Sequence, residues 1–160
     1  MINVLFVCLG NICRSPMAEG IFNKIIEDKG FHLQVSSDSA GTSAYHIGED
    51  PDHRMQETAL KHDIQLNHKG RQLNIKDFDQ FQYIIAMDQN NFDDIKLLSS
   101  QHHRSHDGIL MMRDFDKSKD NKNVPDPYWS KMDGFEEVYQ ILYRCNMEFV
   151  NFLTKQHNLH

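Results

Sequence analysis

The stretch that decides the fold lies near the N-terminus: Val4-Leu5-Phe6-Val7-Cys8-Leu9-Gly10-Asn11-Ile12-Cys13-Arg14-Ser15-Pro16. Its apolar first part is typical of a buried parallel strand, which we predict over residues 2–7. Ser15 is typical of a helix N-cap and Pro16 of the first helical position, so we predict a helix over residues 16–29. A strand, a short loop and a helix in this order are typical of a parallel α/β sheet.

The loop between strand and helix has the length and composition of a cradle for an oxyanion. Five residues separate Cys8 from Arg14, about what a chain needs to curl around a tetrahedral anion with its N–H groups inward. Gly10 can adopt the positive φ that such a curl requires, and Asn11 is also a favoured residue type for it. The helix N-terminus and Arg14 would stabilise both a thiolate at Cys8 and a bound dianion. The loop therefore predicts a sulfur nucleophile that attacks phosphorus.

The residues of this loop allow two other interpretations. A cysteine that closes an apolar strand is more often an inert core residue, but the spacing to Arg14 and the Ser-Pro helix start would then be coincidence. A nucleotide-binding P-loop ends in Gly-Lys-Ser or Gly-Lys-Thr, whereas Cys13-Arg14-Ser15 stands at that place here. We therefore favour the catalytic interpretation.

The rest of the chain alternates strands and helices. We predict, in order, a strand over 35–39, a helix over 51–62 capped by Asp50, a strand over 82–87, a helix over 90–98, a strand over 109–112 and a helix over 133–156. This alternation predicts a doubly wound parallel sheet with helices on both faces, in a single domain over residues 1–160. Ligands in such sheets bind at the carboxyl ends of the strands, where Cys8 lies.

Several motifs closely resemble the low-molecular-weight protein tyrosine phosphatases, whose signature is Cys, five residues, Arg, then Ser or Thr. The resemblance covers nearly the whole chain and continues through residues 38–42, 67–72, 85–88 and 124–129. It implies a four-stranded sheet in the order 2-1-3-4. It also implies hydrolysis of phosphotyrosine and small aryl phosphates through a cysteinyl-phosphate intermediate, with no cofactor and no metal.

The chemistry needs a nucleophile, donors for three phosphate oxygens, and an acid for the leaving group that later acts as a base. Cys8 is the predicted nucleophile. Arg14 and the loop are predicted to hold phosphate, and the loop residues are Leu9, Gly10, Asn11, Ile12, Cys13, Arg14 and Ser15.

Asp126 is the predicted acid, because Pro125 and Pro127 hold it out of helical conformation and the family's Asp-Pro-Tyr motif is matched. By itself an Asp-Pro pair is more often a turn. The alternative acids are Asp114, Asp116 and Asp120.

Other side chains are expected to support the loop or to wall the pocket. Ser15 can donate a hydrogen bond to the Cys8 sulfur. The resemblance implies that Asn11, Ser39 and His68 form a hydrogen-bonded network around the loop, and that Asp88 lies near Arg14, although a helix N-cap explains Asp88 equally well. The predicted substrate wall consists of Leu9, Ile12, Tyr45, Tyr128 and Trp129, which suits an aromatic ester.

Two further cysteines and a cluster of histidines lie outside the predicted catalytic groups. In the family, a loop cysteine like Cys13 traps an oxidised nucleophile as a disulfide, and simple packing explains Cys13 equally well. Cys145 lies on the apolar stripe of the last helix and is assigned to the core. The cluster His102, His103, His106 and Asp107 has no second group of ligands, so we predict a solvated turn rather than a metal site.

Composition restricts the partners and the compartment. The chain has 160 residues, 17 Lys and Arg against 23 Asp and Glu, and no basic run, so nucleic acid is not an expected partner. The apolar run to Cys8 is too short to span a membrane and lacks a basic flank, so we expect neither a signal peptide nor membrane attachment. Three cysteines, an odd number, suit the cytoplasm. We expect a monomer, with a weak dimer possible, that acts on tyrosine-phosphorylated proteins and binds phosphate or other oxyanions.

Three functions compete with phosphotyrosine hydrolysis. Thioredoxin-coupled arsenate reductases need two more cysteines after the third strand, and there is none between Met87 and Pro125. Protein-arginine phosphatases carry Thr where this loop has Ile12, and an apolar side chain there favours an aryl ring. A non-catalytic phosphotyrosine-binding module should have lost Cys8, Arg14 or Asp126.

Overall fold

Four parallel strands form the central sheet: β1 (Ile2–Cys8), β2 (Val35–Gly41), β3 (Tyr83–Ala86) and β4 (Ile109–Met111). The computed structural model describes residues 1–118 and 120–160. The strand order is β2-β1-β3-β4, the order that the family resemblance implies. Because β1 pairs with β2 on one side and with β3 on the other, the loop after β1 emerges where the strand order reverses, which is the usual ligand position in such sheets.

In the described part of the chain, five α-helices and one short 3-10 helix connect and cover the strands: α1 (Arg14–Asp28), α2 (His53–Lys61), α3 (Asp77–Gln80), α4 (Gln89–Gln101), the 3-10 helix (Met112–Phe115) and α5 (Met132–His157). The four predicted helices are present, with boundaries that differ by up to three residues. The sequence did not indicate α3 or the 3-10 helix, because four residues are too few to show a helical period.

Alternate residues of β1 enter two separate hydrophobic clusters, as a strand buried on both faces requires. Val4 and Phe6 join the cluster that α1 and α5 cover. Leu5 and Val7 join the cluster that α3 and α4 cover. The sheet therefore has helices on both faces, and the whole chain forms one α/β domain.

Two predicted helix caps are wrong. Helix α1 begins at Arg14, with Cys13 at the N-cap position and no capping side chain, because the Ser15 hydroxyl is already bonded within the loop. Helix α2 is capped by Asp52 rather than Asp50, since the Asp52 carboxylate accepts from the Arg54 backbone N–H. At α2 the sequence offers two aspartates, two residues apart, and the structure uses the second.

Asp116 is buried rather than a solvated loop charge or a candidate acid. Its carboxylate accepts from Arg113 and Arg144 at 3.0 Å each. Burial alone would raise the pKa of Asp116, but hydrogen bonds from Arg144, Ser118 and Arg113 lower it below its usual value. These ion pairs anchor the beginning of the segment that leads to Asp126.

Among the described residues, no helix combines the length and the apolar character needed to cross a membrane.

Both ring nitrogens of His106 bond backbone groups. Nδ1 accepts from the Gly108 N–H at 2.9 Å, and Nε2 bonds the Phe81 carbonyl oxygen at 2.6 Å. That ring has no nitrogen left for a metal.

Candidate active site

The loop after β1 curls back over the sulfur of Cys8. The backbone N–H of Asn11 donates to Cys8 Sγ at 3.3 Å, and both residues are buried. Of the two loop residues suited to a left-handed backbone, Asn11 adopts it, with φ 58°, and Gly10 does not. Gly10 has a different reason to lack a side chain, because an added Cβ would lie 3.0 Å from the His46 ring.

The side-chain amide of Asn11 is the hub of the loop. Its Oδ1 accepts from the backbone N–H of Arg71 at 2.9 Å and bonds His68 Nε2 at 2.6 Å. Its Nδ2 donates to Ser15 Oγ at 2.8 Å and to Ser39 Oγ at 3.1 Å. An amide offers two donors and two acceptor sites, so this one is fully satisfied.

The Ser15 hydroxyl lies 3.0 Å from Cys8 Sγ. Asn11 Nδ2 already donates to Ser15 Oγ, and the Ala40 carbonyl lies 3.5 Å away, so the sulfur is the nearer acceptor for the single hydroxyl hydrogen. A hydrogen bond of this kind stabilises the thiolate over the thiol. The expected contact between Ser15 and Cys8 is thus present, while the expected cap is not.

Arg14 is held rigidly beside the sulfur. Its Nη1 donates to Asp88 Oδ2 at 2.6 Å and to the Val124 carbonyl at 3.1 Å, and its side chain is buried. Burial alone would lower the pKa of Arg14, but the charges of Cys8 and Asp88 raise it above its usual value. The guanidinium is therefore a fixed positive charge.

Asp88 has both of the roles that the sequence left open. One carboxylate oxygen accepts from Arg14, and the other accepts from the Asn91 N–H at 2.8 Å as the N-cap of α4. The end of β3 and the start of α4 thereby orient the guanidinium.

Asp126 faces the site from the far side. Its Oδ2 lies 3.6 Å from Arg14 Nη2, and its side chain is 47 % exposed. Its other oxygen accepts from the Tyr128 N–H at 3.1 Å, which fixes the carboxyl between the two prolines. Asp126 lines the cavity above Cys8, whereas Asp114 and Asp120 do not. Asp114 instead accepts from the Met111 N–H, and Asp120 accepts from Ser118.

The cavity has a volume of about 150 Å³ with Cys8 and Arg14 at its floor. All five predicted wall residues line it, namely Leu9, Ile12, Tyr45, Tyr128 and Trp129. Tyr45 is 81 % exposed and Trp129 93 % exposed, so these two rings stand at the mouth. His46 also lines the cavity and was missed from the sequence, where a lone histidine next to Tyr45 carries no distinguishing signal.

Charged residues lie behind the loop, and one of them, Glu19, was also missed from the sequence. Ser39 Oγ donates to Glu19 Oε2 at 3.2 Å. Burial, and then the charge of Asp38, raise the pKa of Glu19 to about 7. Burial lowers the pKa of His68, although Asp38 opposes this shift. Glu19 looks like any surface glutamate in the helical pattern of α1, so periodicity could not identify it.

Cys13 is buried at the start of α1 and also lines the cavity. Burial, and then the charge of Asp52, raise the pKa of its thiol well above the usual range. No disulfide joins the cysteines of the described residues.

Comparison with known proteins agrees with this geometry. The model of the family "Low molecular weight phosphotyrosine protein phosphatase" matches residues 3–159. The low molecular weight phosphotyrosine protein phosphatase of Gallus gallus is 42 % identical over 148 residues, which are 92 % of this chain and 93 % of that protein. The chain belongs to the low molecular weight phosphotyrosine protein phosphatase family. It is therefore a protein tyrosine phosphatase, a hydrolase.

Solved structures show the same fold. A protein tyrosine phosphatase from Entamoeba histolytica, with Hepes in its active site, aligns with a TM-score of 0.92 and 34 % identity, over 98 % of this chain and 99 % of that one. A Drosophila arginine phosphatase aligns with a TM-score of 0.90 and 31 % identity, over 94 % of this chain and 96 % of that one.

Proposed function

We propose that this phosphatase hydrolyses phosphotyrosine in proteins, and small aryl phosphates, through a phosphocysteine at Cys8. The observation that carries the proposal is the placement of the Cys8 sulfur. It accepts the Asn11 N–H, contacts the Ser15 hydroxyl, and lies at the floor of a cavity that Arg14 and Asp126 also line.

In the first step the Cys8 thiolate attacks phosphorus, and the bond from phosphorus to the aryl oxygen breaks. The N–H groups of residues 9–15 and the Arg14 guanidinium hold the three equatorial oxygens. Asp126, in its protonated form, gives its proton to the departing tyrosine oxygen. Arg14 supports this transfer by holding the phosphoryl group on the side of the cavity that Asp126 lines.

In the second step water attacks the phosphocysteine, and the bond between sulfur and phosphorus breaks. The Asp126 carboxylate, now deprotonated, accepts a proton from this water. The Ser15 hydroxyl stabilises the departing thiolate through the contact that it makes with Cys8. Inorganic phosphate and the resting enzyme result, with no cofactor.

The Hepes molecule in the active site of the Entamoeba relative supports the proposal that the loop binds an oxyanion, because Hepes carries a sulfonate group.

We further propose that the enzyme works in the cytoplasm. This proposal rests on its odd number of cysteines.

Phosphoarginine is the second candidate substrate, because an arginine phosphatase shares the fold at 31 % identity. The apolar side chain of Ile12 lines the cavity and favours an aryl ring over a charged guanidinium. Tyr128 beside it adds an aromatic surface on which a phenol can pack. These two side chains favour phosphotyrosine.

We predict that Asp126→Asn lowers turnover of phosphotyrosine by about 10²–10⁴-fold, the usual range for loss of a general acid. For an activated phenol that departs without a proton, the first step should be nearly unaffected. The measurement is single-turnover release of the phenol from the two substrates.

Asp120→Asn is the matched control, since Asp120 lies on the same segment but outside the cavity, and it should leave both rates unchanged. Equal losses for the two leaving groups in Asp126→Asn would contradict the assignment of Asp126 as the acid.

We predict that the wild type prefers phosphotyrosine to phosphoarginine, and that Ile12→Thr shifts the ratio of the two kcat/KM values toward phosphoarginine. The reason is that a threonine hydroxyl can bond a guanidinium, whereas the isoleucine side chain leaves it unpaired. Ile12→Val is the control, because it shortens the side chain without adding a polar atom. A wild type that already favours phosphoarginine would overturn the proposed substrate.

We also propose that Cys13 protects an oxidised Cys8. Peroxide would transfer one oxygen atom to the Cys8 thiolate, giving a sulfenic acid and releasing hydroxide. The Cys13 thiol would then attack that sulfur to form a disulfide, and the sulfenic oxygen would leave as water. We predict reversible inactivation by peroxide, with the disulfide found by peptide mapping and activity restored by a dithiol. Because burial raises the pKa of the Cys13 thiol, formation of the disulfide should accelerate as the pH rises.

Cys13→Ser should recover much less completely than the wild type after peroxide, while Cys145→Ser, which alters a core cysteine, should recover as the wild type does. Full recovery of Cys13→Ser would show that Cys13 serves packing alone.

A further inference from the structure

Arg113 binds both ends of the segment that leads to Asp126, although it lies outside the catalytic cavity. It belongs to the 3-10 helix after β4, and its side chain is only 5 % exposed. Its Nε donates to Asp116 Oδ2 at 3.0 Å, and its Nη1 donates to the Asn123 carbonyl at 2.9 Å. One buried side chain therefore spans the segment from its start to the residue before Val124.

Asn123 lies where this segment enters the active site. Its Oδ1 accepts from the Gln89 N–H, at the start of α4, at 2.9 Å. The next residue, Val124, is buried, and its carbonyl accepts from Arg14 at 3.1 Å. Asp126 follows after a single proline. The position of Asn123 therefore sets the direction from which the segment brings Asp126 to the cavity.

The stretch between the two ends is exposed at residues 117–118 and 120–122, so in the described part of the chain it gains little from packing. Lys117 pairs with Glu148 of α5 at 2.9 Å, but the Lys117 side chain is 82 % exposed, and ion pairs in water contribute little to stability. The Asp120 carboxylate meets the buried guanidinium only at 3.4 Å and is 76 % exposed. The two short bonds of that guanidinium are therefore the firm constraint on this stretch.

Asp116 has a second arginine partner, which separates the two functions of Arg113. Arg144, on α5, donates to the same carboxylate through Nε at 3.0 Å and Nη2 at 3.1 Å. The planar fork of Arg113 lets it bind this carboxylate and also the Asn123 carbonyl. Both arginines thus hold the buried end of the segment, and Arg113 links that end to the active site.

We propose that Arg113 is a positioning residue for Asp126, a role that rests on the proposed function. By tying Asn123 to the buried Asp116, it holds the Asp126 carboxyl at the cavity, where Oδ2 lies 3.6 Å from Arg14 Nη2. Arg113 does not line the cavity, so it acts through Asp126 and not on the phosphoryl group.

The test compares single-turnover release of the phenol from phosphotyrosine and from an aryl phosphate whose phenol departs without a proton. Arg113→Met should slow the release of tyrosine about 10-fold to 100-fold, because a misplacement of about 1 Å costs up to about 10²-fold. Release of the activated phenol should change by less than about 2-fold, because that phenol does not need the acid. A general loss of packing would slow both.

A double variant tests whether Arg113 acts through Asp126. In a chain that carries Asp126→Asn, adding Arg113→Met should change the release of tyrosine by less than about 2-fold, because effects that pass through one group are not additive. Arg144→Met is the matched control. It removes the other arginine from Asp116 but keeps the bond between Arg113 and Asn123, so both substrates should react at wild-type rates.

Arg113→Lys keeps the test decisive if Arg113→Met folds poorly. Its single ammonium should stay with the stronger acceptor, the Asp116 carboxylate, and lose the Asn123 carbonyl, so the same selective loss is expected. Amide hydrogen exchange followed by mass spectrometry should also be faster over residues 120–126 in Arg113→Lys than in the wild type or in Arg144→Met.

Two sets of results separate this role from the proposed function. If Asp126→Asn slows the two substrates unequally, then no slowing in the Arg113 variants, equal slowing of both substrates, a further loss on top of Asp126→Asn or the same loss in Arg144→Met would overturn the role of Arg113 alone. If Asp126→Asn slows the two substrates equally, Asp126 is not the acid, and the role of Arg113 falls with it.

Discussion

The four hydrogen bonds of the Asn11 amide are the interactions on which the catalytic loop depends. Asn11 has a left-handed backbone, which costs a residue other than glycine about 1–3 kcal/mol. A net hydrogen bond contributes about 0.5–1.5 kcal/mol, so four of them are enough to offset that strain. They reach α1 through Ser15, β2 through Ser39, and the segment of His68 and Arg71. A short loop is thereby held by three separate parts of the fold.

The position of β1 in the sheet explains why the remaining catalytic groups can act on the same phosphorus atom. β1 lies between β2 and β3, so the end of β3 comes next to Cys8 and brings Asp88 to Arg14. The Val124 carbonyl also binds Arg14, and the Val124 N–H donates to Met87 at the end of β3. This pair of contacts fixes the segment that carries Asp126. The nucleophile and guanidinium are thus rigid and buried, while Asp126 remains open to substrate and water.

Much of the fold and the position of the catalytic loop could be predicted from the sequence, because the patterns that indicate them lie within short stretches of the chain. The apolar run, the spacing from Cys8 to Arg14 and the alternation of elements indicate the sheet, its faces and the position of the loop. Other features depend on contacts between distant segments. The choice between Gly10 and Asn11 for the positive φ depends on Ser39 and His68, whose side chains bond the Asn11 amide. Asp116 is buried because Arg113 and Arg144 meet it in space, and Glu19 joins the site through contacts with Ser39 and His68. No pattern within a short window contains that information.

The most direct test of the account is to identify the covalent intermediate. Asp126→Asn with an activated aryl phosphate should form the phosphoenzyme, which needs no acid, and hydrolyse it slowly for want of a base. Rapid quenching and peptide mass spectrometry should then find about one phosphate per chain, on Cys8, and none when Cys8→Ser is added. Phosphate on another residue, or steady turnover with no phosphorylated peptide, would contradict the account.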